Sequence, residues 1–310
     1  MAKYLPEFLD PLFEILDDPR YGFGFGLKDC DLDLYIDLGG KNVKEEFFMK
    51  ARMWGPQFTT MYVLGLLREI DRFCNAYEIL NTKIPIIKVK DTNTEIDCDI
   101  NVVNRMGVKN SEYLAFCIGQ DVRIHQLSRI IKYFCEVQDI LGSGRGDHFN
   151  SYTLVMMIIF FLQSWKILHP VSVLQDIVPP EEINGWNFAF CQDMSRLPDL
   201  EGNKSTVSWM LYNFFKFYRD FNYNKLIICP WIGRPVKKCE FDFMKSHPKK
   251  DTIDSTFINK SARLEMYSAV TVQDPFELDR NVGQNVSGAR LMYLKKEFTT
   301  AARLSKDLFK

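Results

Sequence analysis

At 310 residues and 46% hydrophobic, with 25 phenylalanines, the chain can bury a sizeable core and is long enough for two domains of ordinary size. A formal net charge of −1 excludes nucleic-acid binding through an overall positive field, so any such contact needs local basic patches. Eight scattered cysteines without a C-x-x-C pair, and four histidines away from them, exclude a zinc-finger scaffold and predict buried free thiols in a reducing compartment. The longest apolar run, 154–162, is too short for a bilayer and no signal peptide opens the chain, so the expectation is a soluble intracellular protein with no membrane partner.

In chain order, residues 5–16 read as a short amphipathic helix, with Phe8, Leu9, Leu12, Phe13 and Leu16 at helical spacing, ended by Asp18-Pro19. The stretch 22–37, GFGFGLKDCDLDLYID, then alternates strictly. Leu32, Leu34, Ile36 and Leu38 would face one side of a strand, and Asp31, Asp33, Tyr35 and Asp37 the other. Carboxylates at i and i+2 on one strand face project side by side, and such hard oxygen donors suit Mg²⁺ or Mn²⁺. A solvated edge strand has the same pattern, so a partner carboxylate elsewhere has to decide.

A helical region is expected over 44–80, broken near Gly55-Pro56, with Met61, Leu64, Leu67 and Ile70 as its core stripe. Residues 84–90 read as a strand, 91–94 as a tight turn and 95–103 as the returning strand. On that return Ile96, Cys98, Ile100 and Val102 form the apolar face, and Glu95, Asp97, Asp99 and Asn101 the polar one. A second acidic face thus follows the first in a small mixed sheet. Three convergent carboxylates are what two-metal phosphoryl or nucleotidyl transfer requires. The residues alone leave Asp97 and Asp99 as alternatives for the third.

From Asn110 onward the pattern is helical. A helix over 124–140 has apolar residues at 127, 130, 131, 134 and 137; 142–146 is a loop; 150–168 is a helix apolar enough to be buried on all sides. Residues 181–195 read as a polar connector, 208–222 as an aromatic-rich helix, 226–229 as a short strand, 237–261 as a surface loop and 285–308 as closing helix.

The two acidic strands and three later stretches resemble the terminal nucleotidyltransferases, the noncanonical poly(A) polymerases and terminal uridylyltransferases of the DNA polymerase beta superfamily. GFGLKDCDLDLYIDL is similar to the segment bearing the family's first two catalytic carboxylates, and IDCDINVVNRMGVKNSEYL to its third-carboxylate strand and the entry to its central domain. RIIKYF and FNSYTLVMMIIFFLQ resemble the helices that hold triphosphate and base, and VQDPFELDRNVGQNVS the nucleotide recognition motif. The resemblance covers nearly the whole chain in the family's order.

It implies an α+β fold, with a small mixed-sheet, polymerase beta-like nucleotidyltransferase domain at 17–108 and a mainly helical central domain made of 1–16 and 109–310. It implies Asp31, Asp33 and Asp99 as the catalytic, metal-binding triad for Mg²⁺ or Mn²⁺, Asn110 on the ribose, and Lys132 and Ser151 on phosphate. Tyr152 would stack on the base, with Asp274 and Glu277 near the base edge and Arg280 as a cationic donor to uracil. The implied activity is template-independent addition of UMP from UTP to RNA 3′ ends. Alternatives are ATP as donor for a poly(A)-adding enzyme, or an inactive RNA-binding scaffold. The expected partners are an RNA 3′ end and the nucleotide, with no DNA, for a monomeric cytoplasmic protein. Three positions depart from the family pattern: Pro19-Arg20 stands where a Gly-Ser pair is usual, Glu136 where a second lysine often follows Lys132, and Arg280 where some uridylyltransferases carry histidine.

Overall fold

The computed structural model describes residues 32–37, 45–82, 84–102, 104–142, 146–200, 204–240 and 263–307. The expected N-terminal helix, the glycine lead-in with Asp31 and most of the 237–261 loop lie outside them. The chain forms two compact units, Met1–Ala115 and Phe116–Lys310.

The first unit is a four-stranded mixed sheet backed by one helix. Its elements are β1 (Leu32–Tyr35), α1 (Glu45–Arg68), β2 (Phe73–Ile79), β3 (Ile86–Asp91), β4 (Asp97–Asn101) and the start of α2 (Met106–Gly119). The strand order is β1-β4-β3-β2, with β1 parallel to β4 and the other pairs antiparallel. Alternation does here what the sequence pattern expects. Leu34, Ile36, Ile87, Val89, Cys98 and Ile100 turn to one face and are covered by Val63, Leu64 and Leu67 of α1. That leaves the acidic face uncovered by this core.

Three boundaries differ from expectation. The helix expected to 80 ends at Arg68, and Phe73–Ile79 is a strand paired with β3. Its Phe, Cys, Tyr and Ile content favours a pleated surface, and Asn75, at φ 55°, carries an irregularity in the pairing. The expected break is real: Gly55 adopts φ 77°, ψ 173° inside α1, before Pro56. Met61 is 49% exposed, and Val63 takes its place in the stripe. Strand β4 starts at Asp97 because Glu95 sits at φ 59°, which throws Ile96 out of the apolar face. The expected turn at 91–94 is held by buried Asp91, whose Oδ2 accepts from Thr94 N and Oγ1 while Arg72 Nε donates to Oδ1. Burial raises the Asp91 pKa, but these bonds outweigh it and hold the carboxyl below its ordinary range.

The second unit is helical with two short hairpins: α3 (Val122–Val137), α4 (Ser151–Ser164), α5 (Val171–Gln175), β5 (Glu182–Ile183), β6 (Trp186–Asn187), α6 (Val207–Asp220), β7 (Leu226–Ile227), β8 (Val236–Lys237) and α7 (Gly288–Asp307). Side-chain oxygens of Asp121, Asn150 and Thr206 cap α3, α4 and α6. Helix α4 is buried from Thr153 through Gln163, as its unbroken apolar run predicts. Phe161, Phe214, Phe215 and Phe298 pack edge to face and tilted around it.

On α3, Leu127 and Ile131 are buried as expected, but Ile130 and Val137 are exposed on the opposite side. The polar connector is more ordered than its composition suggests. Asn184-Gly185, both at positive φ, turn the β5–β6 hairpin, and Phe188, Ala189 and Cys191 are buried behind it. No helix among the described residues is long and apolar enough to cross a membrane.

Candidate active site

Register builds the acidic row in the first unit. Asp33 of β1 stands opposite Asp99 of β4, and Asp99 stands opposite Lys88 of β3. Neighbouring strands run about 4.8 Å apart, so the two carboxylates are lateral neighbours on the face away from the core. Lys88 Nζ donates to Asp99 Oδ1 at 2.5 Å. Asp97 pairs across with Lys90, one position before the first described β1–β4 pair, so the row with Asp33 runs through Asp99.

Asp31 lies outside the described residues, and among the described residues no three His, Cys, Asp or Glu side chains gather into a metal-holding group. The pair present fits a hard divalent cation. Both donors are carboxylates in one row, and a cationic ammonium is already drawn to Asp99. Lys88 was missed in the sequence, although the alternation of IPIIKVK puts it on the polar face.

The end of β4 is tied to the start of α2. Asn101 Nδ2 donates to Asn104 O at 2.9 Å, Asn101 Oδ1 accepts from Asn104 N at 3.1 Å, and Asn104 Oδ1 accepts from Met106 N at 2.9 Å. One turn further, Asn110 holds a buried Oδ1 with no hydrogen-bond partner among the described residues. A buried acceptor left open in this way suits a hydroxyl donor.

In the second unit, Lys132 is buried in the wall of α3 at 6% exposure, with Nζ 3.7 Å from Glu136 Oε1. Asn150 Oδ1 accepts from Thr153 N at 2.7 Å and starts α4, which leaves Ser151 exposed in the first turn and Tyr152 half-buried beside it. Tyr152 donates its hydroxyl to Asp274 Oδ2 at 3.1 Å. Asp274 is fully buried; its Oδ1 accepts from the amides of Phe276 and Glu277, both at 3.0 Å. Arg280 Nη1 donates to Glu277 Oε2 at 3.0 Å and stands 3.7 Å from Asp274 Oδ2.

These four residues form one cluster. Burial pushes the Asp274 carboxyl above its usual range against the pull of Arg280, and burial, helped by Asp274, pushes the Tyr152 phenol well up. Asp274 therefore spends its acceptors on the loop and on Tyr152.

Asn281 ties this loop together, which the sequence did not reveal. Its Nδ2 donates to Glu265 O, Ser268 Oγ and Val270 O, and its Oδ1 accepts from Val272 N and Gly283 N. In the sequence it is one more polar residue after Asp279-Arg280, with nothing to set it apart. Gly283 packs so tightly there that a Cβ would lie 3.1 Å from Val270 O.

Residues 21–118 match the family profile described as poly(A) RNA polymerase, mitochondrial-like, central palm domain. The chain is 25% identical to the speckle targeted PIP5K1A-regulated poly(A) polymerase of Xenopus tropicalis, over 91% of this chain and 38% of that protein. It is 26% identical to human (Homo sapiens) terminal uridylyltransferase 4, over 91% of this chain and 16% of that one. The chain is thus similar, over 91% of its length, both to a poly(A) polymerase and to a terminal uridylyltransferase.

The chain spans less than half the length of those relatives. A crystal structure of mtPAP in complex with UTP superposes with a TM-score of 0.74 at 23% identity, covering 91% of this chain and 57% of that one. The Cid1 poly(U) polymerase superposes at 0.68 and 22%, covering 91% and 77%. Both share this chain's mixed-sheet, polymerase beta-like fold. A poly(A) polymerase and a uridylyltransferase match the chain at 25% and 26% identity, so identity does not choose the nucleotide.

Proposed function

We propose that the protein adds nucleotides, UMP from UTP, to RNA 3′ ends without a template. The observation that carries this reading is the in-register pair Asp33–Asp99, two hard carboxylates side by side on the uncovered face of the sheet. Asp33 and Asp99, with Asp31, would hold Mg²⁺ or Mn²⁺. Bound divalent ions would supply a lowered pKa for the attacking hydroxyl and charge neutralisation on the leaving group.

In the reaction the RNA 3′-oxygen forms a bond to the α-phosphorus as the α–β bridging P–O bond breaks. Pyrophosphate leaves with the electron pair, and the hydroxyl proton passes to water. Asn110 Oδ1 would accept a ribose hydroxyl. Lys132 and the exposed Ser151 hydroxyl at the start of α4 would take phosphate oxygens, aided by the free amides of that helix end. Tyr152 would stack on the base.

Choice of UTP rests on Arg280, whose guanidinium keeps donors beyond the one given to Glu277 and can offer one to uracil O4. ATP is the second reading, favoured by Glu277, a buried carboxylate beside Arg280 that would accept an adenine amino group. The test offers labelled RNA and Mg²⁺ with each NTP separately, to the parent, Asp33→Ala and Asp99→Ala. The parent is expected to tail RNA with UTP, and both variants to lose tailing with unchanged circular dichroism. Full activity in either variant overturns the carboxylate assignment. A parent that prefers ATP overturns the uridylyl reading while the nucleotidyl-transfer reading stands.

A further inference from the structure

The segment joining α3 to α4 closes on α7 through a ring of four charged or ionisable side chains. Asp139 Oδ2 lies 3.5 Å from His148 Nε2 and 3.6 Å from Arg290 Nη1. Asp147 Oδ1 lies 3.2 Å from His148 Nδ1 and 3.4 Å from Arg290 Nε. Carboxylates and nitrogen bases therefore alternate around the ring, each imidazole nitrogen facing one carboxylate and the guanidinium spanning both. Arg290 also donates to Asp139 O at 3.2 Å, Ser287 Oγ donates to Asp147 Oδ2 at 2.8 Å, and Tyr293 donates to Gln138 O at 3.0 Å. The two carboxylates are half exposed, but His148 is buried at 9%.

The chain is shaped around that imidazole. A Cβ on Gly142 would come within 2.9 Å of His148 Cγ, so only glycine leaves the ring its place. Phe149 N donates to Ile140 O at 3.3 Å and Gly142 N to Phe149 O at 3.1 Å, which clamps the two ends of the connection together. Phe149 is buried next in the chain, then Asn150 caps α4, then come Ser151 and Tyr152. His148 is thus three residues ahead of one proposed nucleotide ligand and four ahead of the other.

We propose that His148 is a positioning residue of the nucleotide site: within the Asp139–His148–Asp147–Arg290 ring it sets the first turn of α4, and so the place of the Ser151 hydroxyl and the Tyr152 ring. This rests on the proposed contact of those two residues with the nucleoside triphosphate. The ring acts through the main chain and carries no information about the base, so its loss weakens every NTP alike.

The test compares His148→Ala, His148→Gln and Arg290→Lys with the parent, measuring apparent KM for UTP and ATP, kcat and RNA affinity. His148→Ala is expected to raise apparent KM about tenfold for both nucleotides, with kcat within about twofold and RNA affinity unchanged. His148→Gln keeps a donor and an acceptor and recovers most of the loss. In a Tyr152→Ala background the His148 effect shrinks, because both changes act on one contact. Unchanged KM in His148→Ala, additive effects with Tyr152→Ala, or a loss fully accounted for by a smaller folded fraction overturns the proposal. If His148→Ala does not fold, Arg290→Lys, whose single ammonium cannot span both carboxylates, carries the same comparison: a raised KM for both nucleotides supports the proposal and an unchanged KM overturns it. A parent that neither binds nor uses any NTP overturns the proposed function instead. The ring is then judged by amide hydrogen exchange over 149–153, where faster exchange in Arg290→Lys supports it and equal exchange overturns it.

Discussion

Tyr152 is held at two ends: the capped first turn of α4 fixes its backbone, and Asp274 takes its hydroxyl. Removing the ring is expected to raise apparent KM for every NTP. Base–aromatic stacking is worth about 1–3 kcal/mol, or about five- to a hundredfold. Tyr152→Phe keeps the π-face and leaves Asp274 with its two amides and Arg280, so its KM should stay near the parent's. Steady-state kinetics on the two variants checks this; equal KM values in parent and Tyr152→Ala would make the ring a packing residue. Strict alternation put Asp33 on one acidic strand face, and Asp97 and Asp99 together on another, without any tertiary information; it could not choose between the last two. Asp274 was legible only as a position: that its acceptors are spent on two amides and a phenol depends on a loop folding back onto α4.

Helix α3 begins on a charged cap. Asp121 Oδ1 accepts from Arg123 N at 2.8 Å, its carboxylate pairs with the Arg123 guanidinium, and Arg123 Nη1 reaches Ser205 O at 2.7 Å. The Arg123 side chain holds the Asp121 carboxyl below its ordinary range. A depressed carboxylate pKa stabilises the fold above the unfolded value, about 3.9, and that contribution is lost as pH falls through the folded value. Asp121→Ala should cost about 1 kcal/mol at neutral pH. Asp121→Asn keeps the cap acceptor but loses the ion pair, so its stability should converge on the parent's below about pH 4. Denaturant melts across pH check both, and a constant gap between parent and Asp121→Asn at all pH values would sink the assignment. At this scale β2 shows where periodicity fails. Phe73–Ile79 has no clean two-residue alternation, because Asn75 disturbs it, and only the backbone partners on β3 make it a strand.

Among the described residues, Cys98, Cys117, Cys135, Cys191 and Cys229 are buried free thiols, Cys74 is intermediate and Cys239 exposed. Burial pushes the thiols of Cys135 and Cys229 up, the latter to about 12, which suppresses the reactive thiolate. In a Cys30→Ser background, Ellman's reagent should label Cys239 quickly, Cys74 slowly and the other five only after denaturation. Fast labelling of more than two thiols would mean that the cores open readily. The scattered spacing of the cysteines was enough to expect this, since it offers no metal or redox pair. By itself the sequence determined the alternating acidic strands and the buried α4, because these follow from side-chain period within a few residues. Tertiary structure alone decided that Asp99 shares a row with Asp33, that Lys88 joins it, and that Asp139, Asp147, His148 and Arg290 close a ring. Those pairings join positions as far apart as 151 residues, and their register is set by which faces must be buried.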